Sequence, residues 1–235
     1  MTEQEVNNIK EIVSQALSKT ITTLRRIYND GKGMDTQFHG SRLIFPSYGN
    51  EGKTRISEQE LRFVFAEKLS SICKKEKKYY YSVETPTKEP YTFSDAHSKI
   101  DPIIGIGQSG NFDMAIHDKE RNKVCLIEFK AGKSVNKQAF MEVLAKLANP
   151  NETDVDAPRY VIHMVEDERS EACVNNWEEA KRWLSLSDGV YPLTKEVNYL
   201  CFCLKKRKRV IKEQVNVNTI NKRATKQTTK FISTT

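Results

Sequence analysis

The sequence predicts an α/β fold in which helices flank a central mixed β-sheet, with a long N-terminal helix and a basic C-terminal tail. Three observations lead to this prediction. Apolar residues recur at three- and four-residue steps over residues 6–28, which is the spacing of an amphipathic helix. Residues 112–129 have the alternating and continuous apolar runs of paired strands. Strand, helix and strand patterns then follow one another up to residue 165, and this succession requires a parallel crossover.

The chain length fits one domain with an appendage, since 235 residues exceed an average domain only moderately. We predict a single domain over residues 1–204, with its N-terminal helix at 1–30 and its core at 57–204. The tail, residues 205–235, holds ten Lys/Arg and one Glu, a charge of +9. Because the whole chain carries +7, the remainder carries −2. The basic character therefore belongs to the tail.

The elements follow in order. The N-terminal helix is expected to end near Asn29-Asp30-Gly31 and either to cover the core or to form a dimer face. Residues 30–56 hold five of the ten glycines and should form a long loop, with a short strand at 42–45. Further strands are predicted at 79–84, 159–165 and 199–204, and further helices at 57–71, 137–149 and 170–186.

Residues 105–110 spell GIGQSG, the GxGxxG pattern of dinucleotide-binding turns. Such a turn follows a strand and opens a helix, whereas this one leads into the strand that holds Asp113. We therefore exclude a dinucleotide site. We expect the glycines to let the backbone approach a ligand beside the acidic residues.

Two strands joined by a polar turn carry the candidate site. The large apolar residues Phe112, Met114 and Ile116 alternate with Asp113, Ala115 and His117, and residues 124–129 are apolar apart from Glu128. In an antiparallel hairpin, residues equidistant from the turn face each other. The predicted pairs are Ala115 with Leu126, His117 with Val124, and Asp113 with Glu128.

Two carboxylates opposite each other on one sheet face repel, because their Cβ atoms are about 4.5–5.5 Å apart. Lys130 is two residues after Glu128 and points to the same face. From the residues alone, two explanations stay open. Mg²⁺, which one or two carboxylates and waters commonly bind, removes the repulsion, or Asp113, Glu128 and Lys130 form a purely structural ion pair.

The spacing of Asp113, fourteen residues and then Glu128-Phe129-Lys130 resembles the D-(x)n-E-x-K motif of the PD-(D/E)XK nucleases, the restriction-endonuclease-like superfamily. The apolar residues 125–127 and the following Ala131-Gly132 match the usual surroundings of this motif. Phe112 stands where many members have proline, a position that varies in the superfamily. The resemblance covers residues 57–165 and implies a restriction-endonuclease-like core.

The resemblance also implies roles for individual residues. Asp113 and Glu128 would hold Mg²⁺, for which Mn²⁺ can substitute, with the Phe129 carbonyl as a further ligand. Lys130 would act at the attacking water, as a base or as an orienting group. Members often have another acidic residue on the helix before the sheet, and Glu60 matches that position. Because Glu60 would also complete a capping box with the amide of residue 57, its two roles compete.

Five consecutive cations open the tail and are the candidate nucleic-acid-binding residues. Clustered cations favour phosphates through counterion release and do not read base sequence. A solvated terminal segment is the alternative. The five residues are Lys205, Lys206, Arg207, Lys208 and Arg209.

These features predict a Mg²⁺-dependent endonuclease that hydrolyses DNA phosphodiester bonds, with a restriction or other defence role as the first expectation. A repair or recombination nuclease, such as a junction resolvase, is the alternative within this class. Outside it, the alternative is a nucleic-acid-binding module whose acidic cluster is structural. Since many enzymes that cut both DNA strands are dimers, the resemblance also suggests a homodimer.

The sequence contains no run of 18 or more apolar residues, so we predict no transmembrane helix. Its first ten residues lack the apolar run of a signal peptide. We therefore expect a cytoplasmic protein with no membrane partner.

Overall fold

The computed structural model describes residues 1–30, 43–48, 53–92, 103–132, 135–166, 175–176, 178–179, 195–205 and 210–215. Its helices are α1 (Glu3–Asp30), α2 (Glu58–Glu76) and α3 (Lys137–Ala148), and a 3₁₀ turn at Pro150–Glu152 follows α3. Its strands are β1 (Ser47–Tyr48), β2 (Lys53–Thr54), β3 (Tyr80–Thr92), β4 (Ile103–Ile104), β5 (Gln108–His117), β6 (Lys123–Ala131), β7 (Arg159–Val165), β8 (Val197–Cys203) and β9 (Val210–Val215).

A seven-stranded mixed sheet has the order β4-β3-β5-β6-β7-β8-β9. Strands β3, β5 and β6 form an antiparallel meander, and β6, β7 and β8 are parallel. Both edge strands, β4 and β9, pair antiparallel with their neighbours. The short strands β1 and β2 form a separate hairpin. The predicted α/β fold with a mixed sheet is therefore confirmed, and so is the parallel relation between β6 and β7.

Each face of the sheet is covered by its own apolar core. Helices α1 and α2 close one face, and α3 closes the other. Strand β6 contributes Ile127 and Phe129 to the first core and Leu126 to the second. A strand buried on both faces needs a continuous apolar run, which is why residues 124–129 do not alternate.

Helix α1 covers the sheet together with α2. Its apolar stripe, which includes Ile9, Val13 and Ala16, is buried in the core that the two helices share. The predicted end near Asn29-Asp30-Gly31 agrees with the last helical residue, Asp30. The structure therefore supports the core-covering role of this stripe over the predicted dimer face.

Two strand predictions before the acidic hairpin differ from the structure. Residues 43–46 are not in a strand, and the short strand lies just after them, at Ser47–Tyr48; residue 42 is outside the described residues. Strand β3 continues eight residues past its predicted end, through Pro86 and Pro90 to Thr92. Proline is compatible with a strand whose outer edge is unpaired, and only the last two residues of β3 pair with β4.

The sheet extends beyond the domain boundary predicted at residue 204, because residues 210–215 form β9 and pair with β8. The predicted tail therefore begins inside the folded domain. Most of the helix predicted at 170–186 lies outside the described residues, although residues 175, 176, 178 and 179 are helical. Among the helices that are described, none combines the length and apolar character that crossing a membrane requires.

Candidate functional site

The β5–β6 hairpin has the predicted register beside the acidic pair, with Ala115 opposite Leu126. The ladder ends one residue pair later, so Asp113 and Glu128 are the next residues in register. There, the Phe129 N–H donates to Asp113 Oδ2 at 2.6 Å. The Asp113 carboxylate thus accepts the hydrogen bond that a backbone carbonyl of β5 would accept if the ladder continued. This contact fixes the Asp113 side chain at the point where the two strands separate.

At the turn end of the hairpin, the predicted pairing of His117 with Val124 is wrong. His117 lies opposite Lys123, because a bulge shifts the register between residues 116 and 117. The Asp118 carboxylate accepts hydrogen bonds from both the backbone and side-chain N–H groups of Asn122. This closes a five-residue turn, whereas the predicted pairing of His117 with Val124 requires an even number of residues between the strands.

Asp113 also faces a cation from α2. Its Oδ1 is 3.6 Å from the Arg62 guanidinium, which in turn is paired with Glu84 of β3. Burial lowers the pKa of Arg62, but its hydrogen bond to Glu84 and the charge of Asp113 outweigh that effect and raise it. Arg62 is therefore a permanent positive charge against the predicted metal ligand.

Glu128 is only 3% exposed and forms an ion pair with Lys146 of α3. The same ammonium donates to the Asn111 carbonyl at 2.7 Å. Burial raises the pKa of Glu128 to about 7; Lys146 opposes the rise and the charge of Asp113 adds to it. The main partner of this buried carboxylate is thus Lys146, which the sequence did not single out.

Lys130 lies two residues beyond Glu128, and its ammonium donates to the Phe129 carbonyl at 3.0 Å. It is 3.5 Å from the carboxylate of Glu58, at the start of α2. The partner of Lys130 is therefore Glu58, while Lys146 neutralises Glu128. Asp113 and Glu128 are therefore each paired with a cation, but these cations are Arg62 and Lys146. The structural alternative from the sequence had assigned that role to Lys130.

Glu58, rather than Glu60, is the acidic residue of α2 beside Lys130. Burial raises the pKa of Glu58; the charge of Lys130 lowers it, and that of Asp113 raises it further. Residues two positions apart on a helix point about 200° apart. If Glu58 faces the cluster, Glu60 must face away from it.

The Glu60 carboxylate holds the start of α2 together. It accepts the Ser57 backbone N–H at 3.1 Å and is 3.2 Å from an Arg55 guanidinium nitrogen. The predicted capping box is therefore confirmed. With both oxygens engaged in these contacts, the geometry supports the cap, and the catalytic role of Glu60 stays a prediction.

The donor atoms of the cluster fit a hard divalent cation in kind. Mg²⁺ takes oxygen ligands and is commonly held by one or two carboxylates with waters, and Asp113, Glu128 and the Phe129 carbonyl supply such oxygens. However, the described residues contain no group of three or more His, Cys, Asp or Glu arranged to hold a metal. Because Arg62 and Lys146 already pair with Asp113 and Glu128, binding of a cation would require the two carboxylates to give up these ion pairs.

Gly105 and Gly107 lie in the turn from β4 into β5, and Gly110 lies within β5, so the pattern leads into a strand and not into a helix. Gly105 and Gly107 have φ values of 88° and 120°. A Cβ on Gly107 would lie 2.3 Å from the Tyr91 carbonyl oxygen, so the close approach at this glycine is to β3. The expectation that Gly107 serves a ligand is not supported.

Of the five predicted tail cations, the structure describes Lys205, which is paired with Glu166 at 2.6 Å. Lys206, Arg207, Lys208 and Arg209 lie outside the described residues. The tail is thus not brought together with Asp113 and Glu128 by any contact that the structure describes.

Comparison with known proteins gives no relative from which a role could be transferred. No protein-family model matches the chain, and no curated protein or solved structure is significantly similar to it.

Proposed function

We propose that this protein is a Mg²⁺-dependent endonuclease that hydrolyses DNA phosphodiester bonds. One observation carries the proposal: Asp113 and the buried Glu128 come together where the β5–β6 ladder ends, with Lys130 two residues further along β6. Two carboxylates can hold Mg²⁺, which stabilises the charge of phosphodiester hydrolysis, and a neighbouring lysine can act on the attacking water.

The proposed fold within the α/β class is the restriction-endonuclease-like core. Support comes from the order of elements, since a helix (α2), a meander of three long strands (β3, β5 and β6), a second helix (α3) and a parallel strand (β7) follow one another. In this interpretation α1, β8 and β9 are additions to the core.

Each residue has a defined task in the proposed reaction. Asp113, which the Phe129 N–H orients, and Glu128 would hold the metal, with the Phe129 carbonyl as a further ligand. When bound, Mg²⁺ stabilises negative charge on the phosphate and on the leaving oxygen. The Lys130 ammonium, at 3.5 Å from Glu58, orients the attacking water or accepts its proton once deprotonated.

A second function is favoured by one observation, namely that cations already engage both carboxylates. Lys146 pairs with Glu128, and Arg62 lies beside Asp113. A cluster neutralised in this way is also what a nucleic-acid-binding module with a structural core would have. In that case the protein would bind DNA but cut nothing.

Cleavage of supercoiled plasmid with Mg²⁺, with Mn²⁺ and with EDTA tests the proposal. We expect metal-dependent cleavage that Asp113→Ala and Glu128→Ala abolish, while DNA affinity in EDTA stays unchanged. Discrete bands would indicate a restriction role, and nicking or branch-selective cleavage a repair or recombination role. Cleavage at the wild-type rate by either variant would refute the site, and metal-independent binding without cleavage would favour the binding module.

A further inference from the structure

The first half of β3 exposes large side chains that a folded domain normally buries. Tyr80 is 61% exposed, Val83 is 54% exposed and Tyr81 is 36% exposed. Tyr80 and Tyr81 are consecutive in the strand and point to opposite faces, but both line the same hollow. Scattered apolar residues are ordinary on a protein surface, whereas exposed aromatics gathered at one hollow indicate a binding surface. Tyrosine suits such a surface because its ring gives a large contact area and its hydroxyl tolerates water.

Two hollows adjoin Tyr80, which contributes to the walls of both. One, of about 400 Å³, lies where α2 ends and β3 begins, and Lys74 and Lys77 line it. The other, of about 500 Å³, lies beside the β5–β6 turn, and Lys119 and Arg121 line it. Neither hollow is lined by the residues of the acidic cluster.

The charge of this surface is positive. Its four cations are Lys74, Lys77, Lys119 and Arg121, and within the described part of the chain none of them has an ion-pair partner. The one acid that lines either hollow, Asp118, uses its carboxylate to close the turn. Exposed rings between unpaired cations are complementary to a ligand that has flat apolar faces and regularly spaced negative charges.

We propose that this surface binds a single-stranded segment of DNA, with a base stacked on Tyr80 and the phosphates along the four cations. Stacking on aromatic side chains and a basic groove for the backbone are how proteins bind single strands without sequence preference. In a duplex the base faces are covered by their neighbours, so a ring on a protein surface gains little there. The surface therefore selects unpaired DNA.

The surface leads to the acidic cluster along β3. Glu84, four residues beyond Tyr80, is paired with Arg62, and that guanidinium is 3.6 Å from Asp113. At about 3.3 Å per residue, Tyr80 and Glu84 are about 13 Å apart along the strand. A strand of a few nucleotides spans this length, so the substrate has an unpaired stretch next to the cleaved bond. This last step rests on the proposed nuclease function, whereas the binding itself does not.

A second copy of the chain is the competing occupant. Only the last two residues of β3 pair with β4, and within the described residues no strand pairs with the outer edge of Tyr80–Glu84. Edge strands can pair between copies, and such a dimer would bury the same tyrosines. The charge favours DNA, because two copies would bring their cations together.

The test is the binding of a labelled single-stranded oligonucleotide and of a matched duplex to the full chain, measured by fluorescence anisotropy in EDTA so that cleavage plays no part. Tyr80→Ala should weaken single-strand binding about tenfold and leave duplex binding unchanged. Tyr80→Phe keeps the ring and should bind like the wild type. Ile106→Ala, which removes another exposed apolar side chain, is the control.

A second pair of variants tests the charges. Lys74→Ala and Lys119→Ala should each lower the slope of log affinity against log salt by about 0.7 for single strands. Unchanged single-strand affinity in Tyr80→Ala would overturn the proposal. A dimer that Tyr80→Ala dissociates, seen by light scattering, together with unchanged affinity would assign the surface to a second copy. Tyr80-dependent binding without cleavage of any DNA in Mg²⁺ would refute the nuclease and leave the binding surface standing.

Discussion

The Lys146 ammonium is paired with the Glu128 carboxylate in the interior, between α3 and β6. The two side chains are 11% and 4% exposed. Because water reaches neither group well, each charge depends on the other, and the Asn111 carbonyl takes a further hydrogen bond from Lys146. The stability of the fold and the availability of Glu128 for a metal are thereby linked through one lysine.

Replacing Lys146 should destabilise the protein strongly. Lys146→Met leaves Glu128 buried without its partner, a change that typically costs about 3–5 kcal/mol. The double variant Lys146→Met/Glu128→Gln removes the unpaired charge and should regain most of that loss. Urea denaturation of the wild type, both single variants and the double variant measures the coupling.

A surface pair supplies the control for this experiment. Lys195 and Asp156 are 2.9 Å apart, with the aspartate 80% exposed, and Lys195→Ala should change the free energy of unfolding by less than about 1 kcal/mol. Equal effects of the Lys146 and Lys195 substitutions would contradict the interior location of the first pair.

The stability of the protein should depend little on pH between 4.5 and 6.5, because two buried groups act in opposite directions. Burial raises the pKa of Glu128 from 4.5 to about 7, so the folded state holds the extra proton and stability falls as pH rises through this window. Burial lowers the pKa of His163 from 6.5 to about 4, so the unfolded state holds the extra proton and stability rises with pH. Each effect amounts to about 3 kcal/mol.

Glu128→Gln should reveal the dependence on His163. Without the opposing group, the free energy of unfolding should decrease by about 3 kcal/mol as pH falls from 6.5 to 4. Chemical denaturation at a series of pH values, compared with the wild type, gives the difference. Parallel profiles for the two proteins would show that Glu128 titrates normally.

The local part of the candidate site could be predicted from the sequence, and the tertiary part could not. Alternation and the predicted turn bring Asp113 opposite Glu128, because a sheet has a period of two. The structure keeps this register because the bulge between residues 116 and 117 offsets the five-residue turn. The pairing of Glu128 with Lys146 depends on how α3 lies on the sheet. The sequence pattern of α3 did not single out Lys146, because this residue lies among the apolar residues of the buried stripe. Its burial is explained only by the carboxylate of Glu128 on the sheet.

The sequence likewise did not show which side of α2 faces the sheet. A capping box identifies Glu60 from its spacing to Ser57 alone, but the side of the helix that faces the sheet depends on packing. The length of β3 was underestimated for a related reason. Proline often ends a strand, and the sequence does not show that, within the described residues, no strand pairs with the outer edge of β3 at Pro86 and Pro90.

The two glutamates of α2 should differ in function. If the nuclease proposal holds, Glu58→Gln should reduce cleavage by about an order of magnitude, because it removes the charge that holds Lys130. Glu60→Gln should leave cleavage unchanged, since glutamine still closes a capping box. Rates of plasmid cleavage under identical Mg²⁺ measure both. Loss of activity in Glu60→Gln with normal activity in Glu58→Gln would instead support the predicted catalytic role of Glu60.

A deletion that tests the role of the basic tail in DNA binding should begin after β9 and not before it. Deleting residues 205–235 would remove a strand that pairs with β8 along six residues and would confuse binding with folding. Deleting 216–235 removes four Lys/Arg and spares β9. The affinity for all DNA should then fall alike, and the slope of log affinity against log salt should decrease by about 0.9 for each phosphate that the tail no longer neutralises.

Replacing residues 206–209 by alanine in the full chain tests the other cations of the segment in the same way. Because cations that pair with phosphates do not distinguish base edges, any sequence preference should persist in both variants, and its selective loss at unchanged affinity would contradict this assignment.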